Sequence, residues 1–230
     1  MPVVALFLPL EVAVAVTALV HLANNALKLL LVGSHTDLFV FTRFGLPAIL
    51  AAFAGALLLG WLSTMPVLYS YSTLGRDMSV SVLSFVIGLL IIGFAVMELS
   101  EGLSRLRLSK RWLPLGGILS GFLGGLSGHQ GAFRSVFLLG AGLDKTSFIA
   151  TGVSIAIVVD LTRLLVYGID FSDTFEAGVW SMAALATCSA FVGTLIARQL
   201  FEKATLHTVR SAVACLLLLI GTGMLSGLIG

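Results

Sequence analysis

Charge is what this chain lacks most. Only 10% of its 230 residues are Asp, Glu, Lys or Arg, where a soluble domain carries about 25%. The formal net charge is +2, so the sum points to no nucleic-acid partner, and the distribution of the charges carries the information instead. No long hydrophilic segment is present, which excludes a soluble catalytic or nucleic-acid-binding domain. Cysteine is scarce too. Cys188 and Cys215 both lie in apolar stretches, which excludes a disulfide framework and a thiolate metal cluster; both are expected to serve as small packing residues. His21, His35, His129 and His207 are spread along the chain without zinc-ligand spacing. His35 and His207 fall near span ends and are expected at the interface. A Walker motif and a nucleophile elbow are missing as well. No enzyme, cofactor or metal site is therefore expected. The N-terminus has no basic region of a cleavable signal peptide; Pro2 and Pro9 bracket a short apolar run instead.

What is present is hydrophobic: 58% of the residues, with a mean hydropathy of +1.10. That composition describes a polytopic, all-α membrane protein. Apolar windows of spanning length lie at Val12–Val32, Gly45–Ser63, Val80–Met97, Ser147–Tyr167, Val179–Arg198 and Thr208–Leu228. These predict about six full spans. Turns are expected at Gly33-Ser34, Pro66 and Gly168, and an interfacial amphipathic loop at Thr36–Phe44. A seventh apolar stretch, Leu113–Gly142, is interrupted by Gly121-Phe-Leu-Gly124-Gly125-Leu-Ser-Gly128-His129-Gln130-Gly131-Ala-Phe-Arg134. Neither half alone is long enough to cross a bilayer. A broken backbone carrying His, Gln and Arg is tolerated at membrane depth only where it is buried in protein or lines a cavity.

Charge placement sets the orientation. The loop Glu98–Trp112 holds Arg105, Arg107, Lys110 and Arg111, which places it in the cytoplasm. The loop Gly168–Gly178 has Asp170, Asp173 and Glu176 but no cation, which permits an outside placement. Arg198 and Lys203 bring the next loop inside. These agree only if Leu113–Gly142 enters and leaves on the cytoplasmic side, as a re-entrant pair of half-helices; one crossing plus a surface half-helix is the alternative. Internal matches suggest duplication: Leu89–Gly93 with Leu217–Gly221, Ala52–Gly55 with Ala190–Gly193, and Asn25-Ala-Leu-Lys28 with Asp160-Leu-Thr-Arg163. The expected organisation is a first repeat over 1–97, a cytoplasmic linker over 98–112 and a second repeat over 113–230, inverted relative to the first. Such a fold binds its substrate near the midplane, where discontinuous helices meet.

Thr17, His21, Asn24 and Lys28 share one helical face, with Asn25 beside it. They could wall an anion pathway, or they could make interhelical hydrogen bonds with Lys28 snorkelling to the interface. Thr151, Ser154, Asp160 and Arg163 are the second repeat's counterparts. Asp160 and Arg163, three apart, either neutralise each other or couple ion movement to anion attraction. At the break, Gly124, Gly125, Gly128 and Gly131 permit unusual backbone and close approach. The half-helix after Gly131 offers free amides to an anion, and His129, Gln130 and Arg134 could add donors. Helix packing by small residues is the competing account of the glycines.

Gly117-Ile-Leu-Ser-Gly121 through Gly124-Gly125-Leu-Ser-Gly128, then Leu143-Asp-Lys, Ala150-Thr151 and the closing helix from Arg210 to Gly221 resemble the sulfite exporter TauE/SafE family of membrane transporters. Pro9 followed by Glu11-Val-Ala-Val-Ala-Val-Thr17 fits its first half, and the likeness covers essentially the whole chain. It implies a secondary transporter in a bacterial cytoplasmic (inner) membrane, moving sulfite, sulfonates or similar small anions with ion coupling. By position it points to Gly124–Gly131 and to Thr17 and Thr151. The chain departs from the family pattern twice. It starts at Met1-Pro2, where a first Gly-rich hairpin should be half complete, so that hairpin is expected to be truncated by a misplaced start or lost in this branch. The glycine run after the break is replaced by His129-Gln130-Gly131-Ala132-Phe133-Arg134. The expected partners are a small anion and the lipid bilayer, with a homo-oligomer left open. A channel-like facilitative pore and a non-transporting partner subunit are the rival functions.

Overall fold

The computed structural model describes residues 3–73, 75–100, 108–170, 177–200 and 206–229. Among them are eight α-helices and one hairpin: α1 (Leu10–Val32), α2 (Leu38–Ser63), β1 (Val67–Thr73), β2 (Arg76–Ser81), α3 (Val82–Leu99), α4 (Leu113–Ser127), α5 (Gly131–Leu139), α6 (Lys145–Asp170), α7 (Ala177–Leu200) and α8 (Leu206–Leu225). Helices α1, α2, α3 and α6 are long and apolar enough to cross a membrane. A helix of 23 residues such as α1 rises about 35 Å, more than the ~30 Å of a hydrocarbon core. The described apolar stretches of α7 and α8 are shorter, Val179–Gly193 and Arg210–Leu225.

Local chemistry sets the helix ends. Pro9 leads into α1. Asp37 accepts from the Val40 amide at 2.9 Å and starts α2. Residues 38–44 are therefore helical, and the interfacial loop expected at Thr36–Phe44 does not exist as such. Arg43 stays at this end by lying 5.5 Å over the Phe39 ring. Ser81 caps α3 by accepting from Ser84 N–H at 3.0 Å. The Asp144 carboxylate caps α6 through the amides of Thr146 and Ser147, at 2.9 and 3.3 Å. The Ser147 side-chain and backbone hydrogen bonds hold that carboxyl below its usual range. Residues 4–6, in the short apolar piece before Pro9, form only a single 3-10 turn.

The hairpin corrects the all-α expectation. Tyr69 and Tyr71, two apart on β1, donate their hydroxyls to the carbonyls of Leu225 and Ser226. They thereby satisfy orphan acceptors at the C-terminal end of α8. The cysteines also differ from expectation: both are free and exposed on the outer faces of their helices, not packed between them.

Three close packings organise the bundle. Gly117, Gly121 and Gly125 form one face of α4 and lie on the backbone of Phe44, Ala48 and Ala52 in α2. Gly88 of α3 faces Gly221 of α8. Helix α1 runs antiparallel to α6: Asn25 meets Asp160, while the later Thr36 and Asp37 meet the earlier Ser154 and Thr151. Glu98 at the end of α3 pairs with Arg210 near the start of α8 at 3.6 Å. Arg105, Arg107, Lys203, Asp173 and Glu176, which carry much of the charge-based orientation, lie outside the described residues, as do the side chains of Arg198, Asp170 and His207.

Candidate functional site

The glycine-rich stretch breaks where the sequence places the break. Helix α4 has 15 residues and α5 has 9, rising about 22 and 14 Å, so neither spans alone. Gly128 turns the chain at φ 77°, a left-handed conformation that any other residue adopts only under strain. A Cβ there would also lie 2.7 Å from Arg163 Nη1. The two half-helices fold back on each other. Gly116 faces the Phe137 ring, and Gly140 lies against the backbone of Leu108, just before α4.

A buried polar cluster fills the bend. Asp160 and Arg163 on α6 are each fully buried, and Arg163 Nη2 donates to Asp160 Oδ1 at 2.8 Å. Gln130 Nε2 donates to the same oxygen and Asn25 Nδ2 donates to Oδ2, both at 3.3 Å. Arg163 Nη1 donates to the Gly124 carbonyl at 3.3 Å, and the Tyr167 hydroxyl donates to the Gly125 carbonyl. The Gly125 carbonyl at the end of α4 is thus taken by α6, and the Gly124 carbonyl, which also accepts from the Gly128 N–H at 3.0 Å, gains a second donor there. Arg134 Nη1 donates to Gln130 Oε1 at 3.2 Å. Ser120 donates to the Gln130 carbonyl at 3.0 Å. Asn24 Oδ1 and Arg163 Nε are buried without a hydrogen-bond partner among the described residues, an uncommon state for buried polar atoms.

Beside the cluster opens a cleft of about 260 Å³ lined by Asn25, Lys28, Arg134, Ser135, Leu138, Phe148, Ile149, Gly152 and Val153. Lys28 and Arg134 have no carboxylate partner among the described residues. One carboxylate, Asp160, thus stands against Arg163, Arg134 and Lys28, and its charge is matched by Arg163. The positive charge of the cleft is uncompensated. Leu138, Phe148, Ile149 and Val153 make the apolar part of its lining.

The sequence candidates divide accordingly. Asn25, Gln130, Arg134, Asp160 and Arg163 meet in one network, and Gly128 shapes it. Asn24 contributes a buried, unpartnered oxygen. His129 packs with its ring 4.9 Å from Phe94, stacked at 17°, and its Nδ1 meets the Ser127 carbonyl at 3.0 Å. Gly131 opens α5 with open space around it. Arg134 N–H makes the first α5 bond, to the Gln130 carbonyl, so the amides of residues 131–133 precede the helical ladder. His21 is exposed. Thr17 is buried and donates to the Ala13 carbonyl of its own helix at 2.7 Å. Thr151 accepts from the Asp37 amide at 2.9 Å; Ser154 donates to the Ala150 carbonyl at 3.0 Å and meets Thr36 Oγ1 at 2.9 Å. These last three hydroxyls are held by backbone or by the α1–α2 turn, away from the cluster. Gly124 lies against Gln130 and Val159, while Gly125 packs on α2. Ser135 and the apolar wall residues Leu138, Phe148, Ile149 and Val153 were not anticipated. Ser135 was legible, one residue past Arg134; the wall residues look like any lipid-facing or core position. Among the described residues, no group of His, Cys, Asp and Glu could hold a metal ion.

Compared with protein families, the chain matches the one described as "Sulfite exporter TauE/SafE" over residues 1–224. Compared with curated proteins and with solved structures, it gives no match.

Proposed function

Since the chain belongs to the sulfite exporter TauE/SafE family, a family of multi-pass membrane transporters of sulfur-anion type and not of enzymes, we propose that it is a secondary carrier whose anion sits in the Lys28–Arg134 cleft. One observation carries this: two cations line a cleft with no carboxylate among the described residues to neutralise them. Uncompensated charge inside a membrane protein is expensive unless a counter-charge arrives. The guest is that counter-charge, held by the Arg134 fork, by Lys28 and by Asn25 and Ser135. A volume of about 260 Å³ lies below the ~300–1,000 Å³ of pockets for drug-sized ligands, so the guest is small. The apolar wall of Leu138, Phe148, Ile149 and Val153 favours a short-chain organic sulfonate over bare sulfite.

The wider architecture follows from the same reading. We take α1, α2, α3, α6, α7 and α8 as six spans and α4–α5 as a hairpin that dips into the bilayer from the cytoplasmic side. The contact of Gly140 with Leu108 supports a return to the side of entry. Residues 1–97 and 113–230 are then inverted repeats joined by the 98–112 linker. The meeting of the matched positions Asn25 and Asp160 on antiparallel helices supports this. Rocking one repeat against the other would expose the cleft alternately. The membrane is the bacterial inner membrane, no ATPase motif is present, and Asp160 is the group assigned to ion coupling.

The test is transport by the purified chain in liposomes. Uptake of ethanesulfonate or sulfite should saturate. Arg134→Gln removes a charge-assisted hydrogen bond of about 1.5–3 kcal/mol and should raise the half-saturation concentration roughly 10- to 100-fold while the protein stays folded. Unchanged affinity removes the site assignment. Asp160→Asn should make uptake insensitive to pH; retained pH dependence rules out its coupling role. Flux that never saturates would make the protein a pore, and no flux from the purified chain would make it a partner subunit.

A further inference from the structure

Gln130 is buried, 6% exposed, and both ends of its amide are committed. Its Nε2 donates to Asp160 Oδ1 at 3.3 Å and its Oε1 accepts from Arg134 Nη1 at 3.2 Å. Its backbone is pinned as well: the carbonyl accepts from Ser120 Oγ at 3.0 Å and from Arg134 N–H at 3.1 Å. Gly124 makes room for it, since a Cβ at Gly124 would stand 3.1 Å from the Gln130 Cβ. A side chain so occupied has little left to offer a guest. What it does is separate a carboxylate from a guanidinium. The neighbours fix which way the amide points, because only the NH2 can face Asp160 and only the carbonyl oxygen can face Arg134. Without an amide between them, Arg134 would be drawn to Asp160, the carboxylate that the described residues place in the buried cluster.

We infer that Gln130 is a positioning residue of the anion site: an amide spacer that keeps Asp160 on Arg163 and leaves the charge of Arg134 for the guest. The inference rests on the carrier reading above and refines it, moving Gln130 from ligand to spacer. A neutral, bifunctional side chain is what the position requires. Glutamate would place a second carboxylate on Arg134 and occupy the anion's place. Methionine, of similar length but without the amide, would let Arg134 close on Asp160.

The experiment is calorimetric titration of the full chain in detergent with ethanesulfonate, whose charge does not change with pH. Gln130→Glu should weaken binding at least about 10-fold, equivalent to ~1.4 kcal/mol, and Gln130→Met should weaken it several-fold. A merely structural defect would do the same, so each substitution is repeated in an Arg134→Gln background. If Gln130 acts through Arg134, the neutral Gln130→Met should change affinity less than about 2-fold there, a departure from additivity well beyond the ~0.3–0.5 kcal/mol scatter of independent sites, whereas Gln130→Glu still repels the anion directly. Lys28 remains in that background to keep binding measurable. Equal losses for Gln130→Met in both backgrounds, or wild-type affinity in both Gln130 variants, would overturn the spacer role. If Gln130→Glu does not fold, the Gln130→Met cycle decides alone. A wild-type chain that binds no ethanesulfonate and no sulfite would instead sink the carrier reading, and the spacer role with it.

Discussion

Arg163→Met should be the most damaging single substitution in this chain, lowering stability by about 3–5 kcal/mol. Both members of the Arg163–Asp160 pair are fully buried and 2.8 Å apart. Removing the guanidinium leaves the Asp160 carboxylate with two neutral amides, Asn25 and Gln130, each at 3.3 Å. Two such hydrogen bonds do not offset the desolvation of a buried charge. The Gly124 carbonyl loses the second of its two donors in the same step and keeps the Gly128 N–H. The diagnostic is asymmetry. Asp160→Asn with Arg163→Met, which removes both charges, should recover more than half of the loss, because a neutral buried pair costs far less than a single orphaned ion. Unfolding in detergent followed by tryptophan fluorescence reports all three proteins. A single variant within ~1 kcal/mol of the parent would mean that Asp160 is not a buried anion, and the charge balance that leaves the cleft positive would have to be redrawn.

That charge balance was partly visible in the sequence. Asp160 and Arg163 sit three apart on an apolar helix, so their meeting follows from helical geometry. The match of Asn25 with Asp160 is a comparison of sequence positions, and the two turn out to touch. The break at Gly128 was legible because few other residue types adopt its conformation. Lys28 sat on the helical face already singled out. The roles of Thr17, Thr151 and Ser154 were not legible. A hydroxyl on a helix can turn to a carbonyl one turn back, and nothing in the residue type says whether it does. The hairpin at 67–81 carried an unread signal. Val67-Leu-Tyr-Ser-Tyr-Ser-Thr73 alternates and is rich in β-formers, and Gly75 supplies the φ of 73° that a tight turn needs. The glycines were read as a single group because they crowd together in sequence. Spacing does not separate them, since Gly117, Gly121, Gly124, Gly125 and Gly128 all fall on one helical face; packing does, laying Gly117, Gly121 and Gly125 on the α2 backbone, Gly124 against Gln130 and Val159, and Gly128 beside Arg163.

That separation makes the last prediction sharp. Gly121→Val should destabilise the protein by about 3 kcal/mol, the upper end for overpacking. A Cβ at Gly121 would stand 2.6 Å from the Ala48 Cα and 2.8 Å from its carbonyl carbon. Those are backbone atoms of α2, so no rotamer change relieves the contact, and α4 itself must move away. Gly125 meets Ala52 in the same way, with a Cβ 2.8 Å from its carbonyl carbon, and Gly125→Val should behave alike. Gly93→Ala and Gly131→Ala meet nothing within 4 Å. They should be neutral or stabilising by up to about 1 kcal/mol, as expected when glycine gives way to alanine in a helix. The damage should reach function as well. The carbonyls of Gly124 and Gly125 hold Arg163 and Tyr167 in place, so a displaced α4 unseats the guanidinium that neutralises Asp160. The unneutralised Asp160 charge would then oppose an anion in the adjoining cleft, and anion affinity should fall together with stability in Gly121→Val, though residue 121 lines no part of the cleft. Stability measured across the four variants and ethanesulfonate binding measured on the folded ones test both links. Gly121→Val as stable as Gly93→Ala would show that α4 does not press on α2. A destabilised Gly121→Val that still binds ethanesulfonate with parental affinity would separate the packing of α4 from the charge of the site.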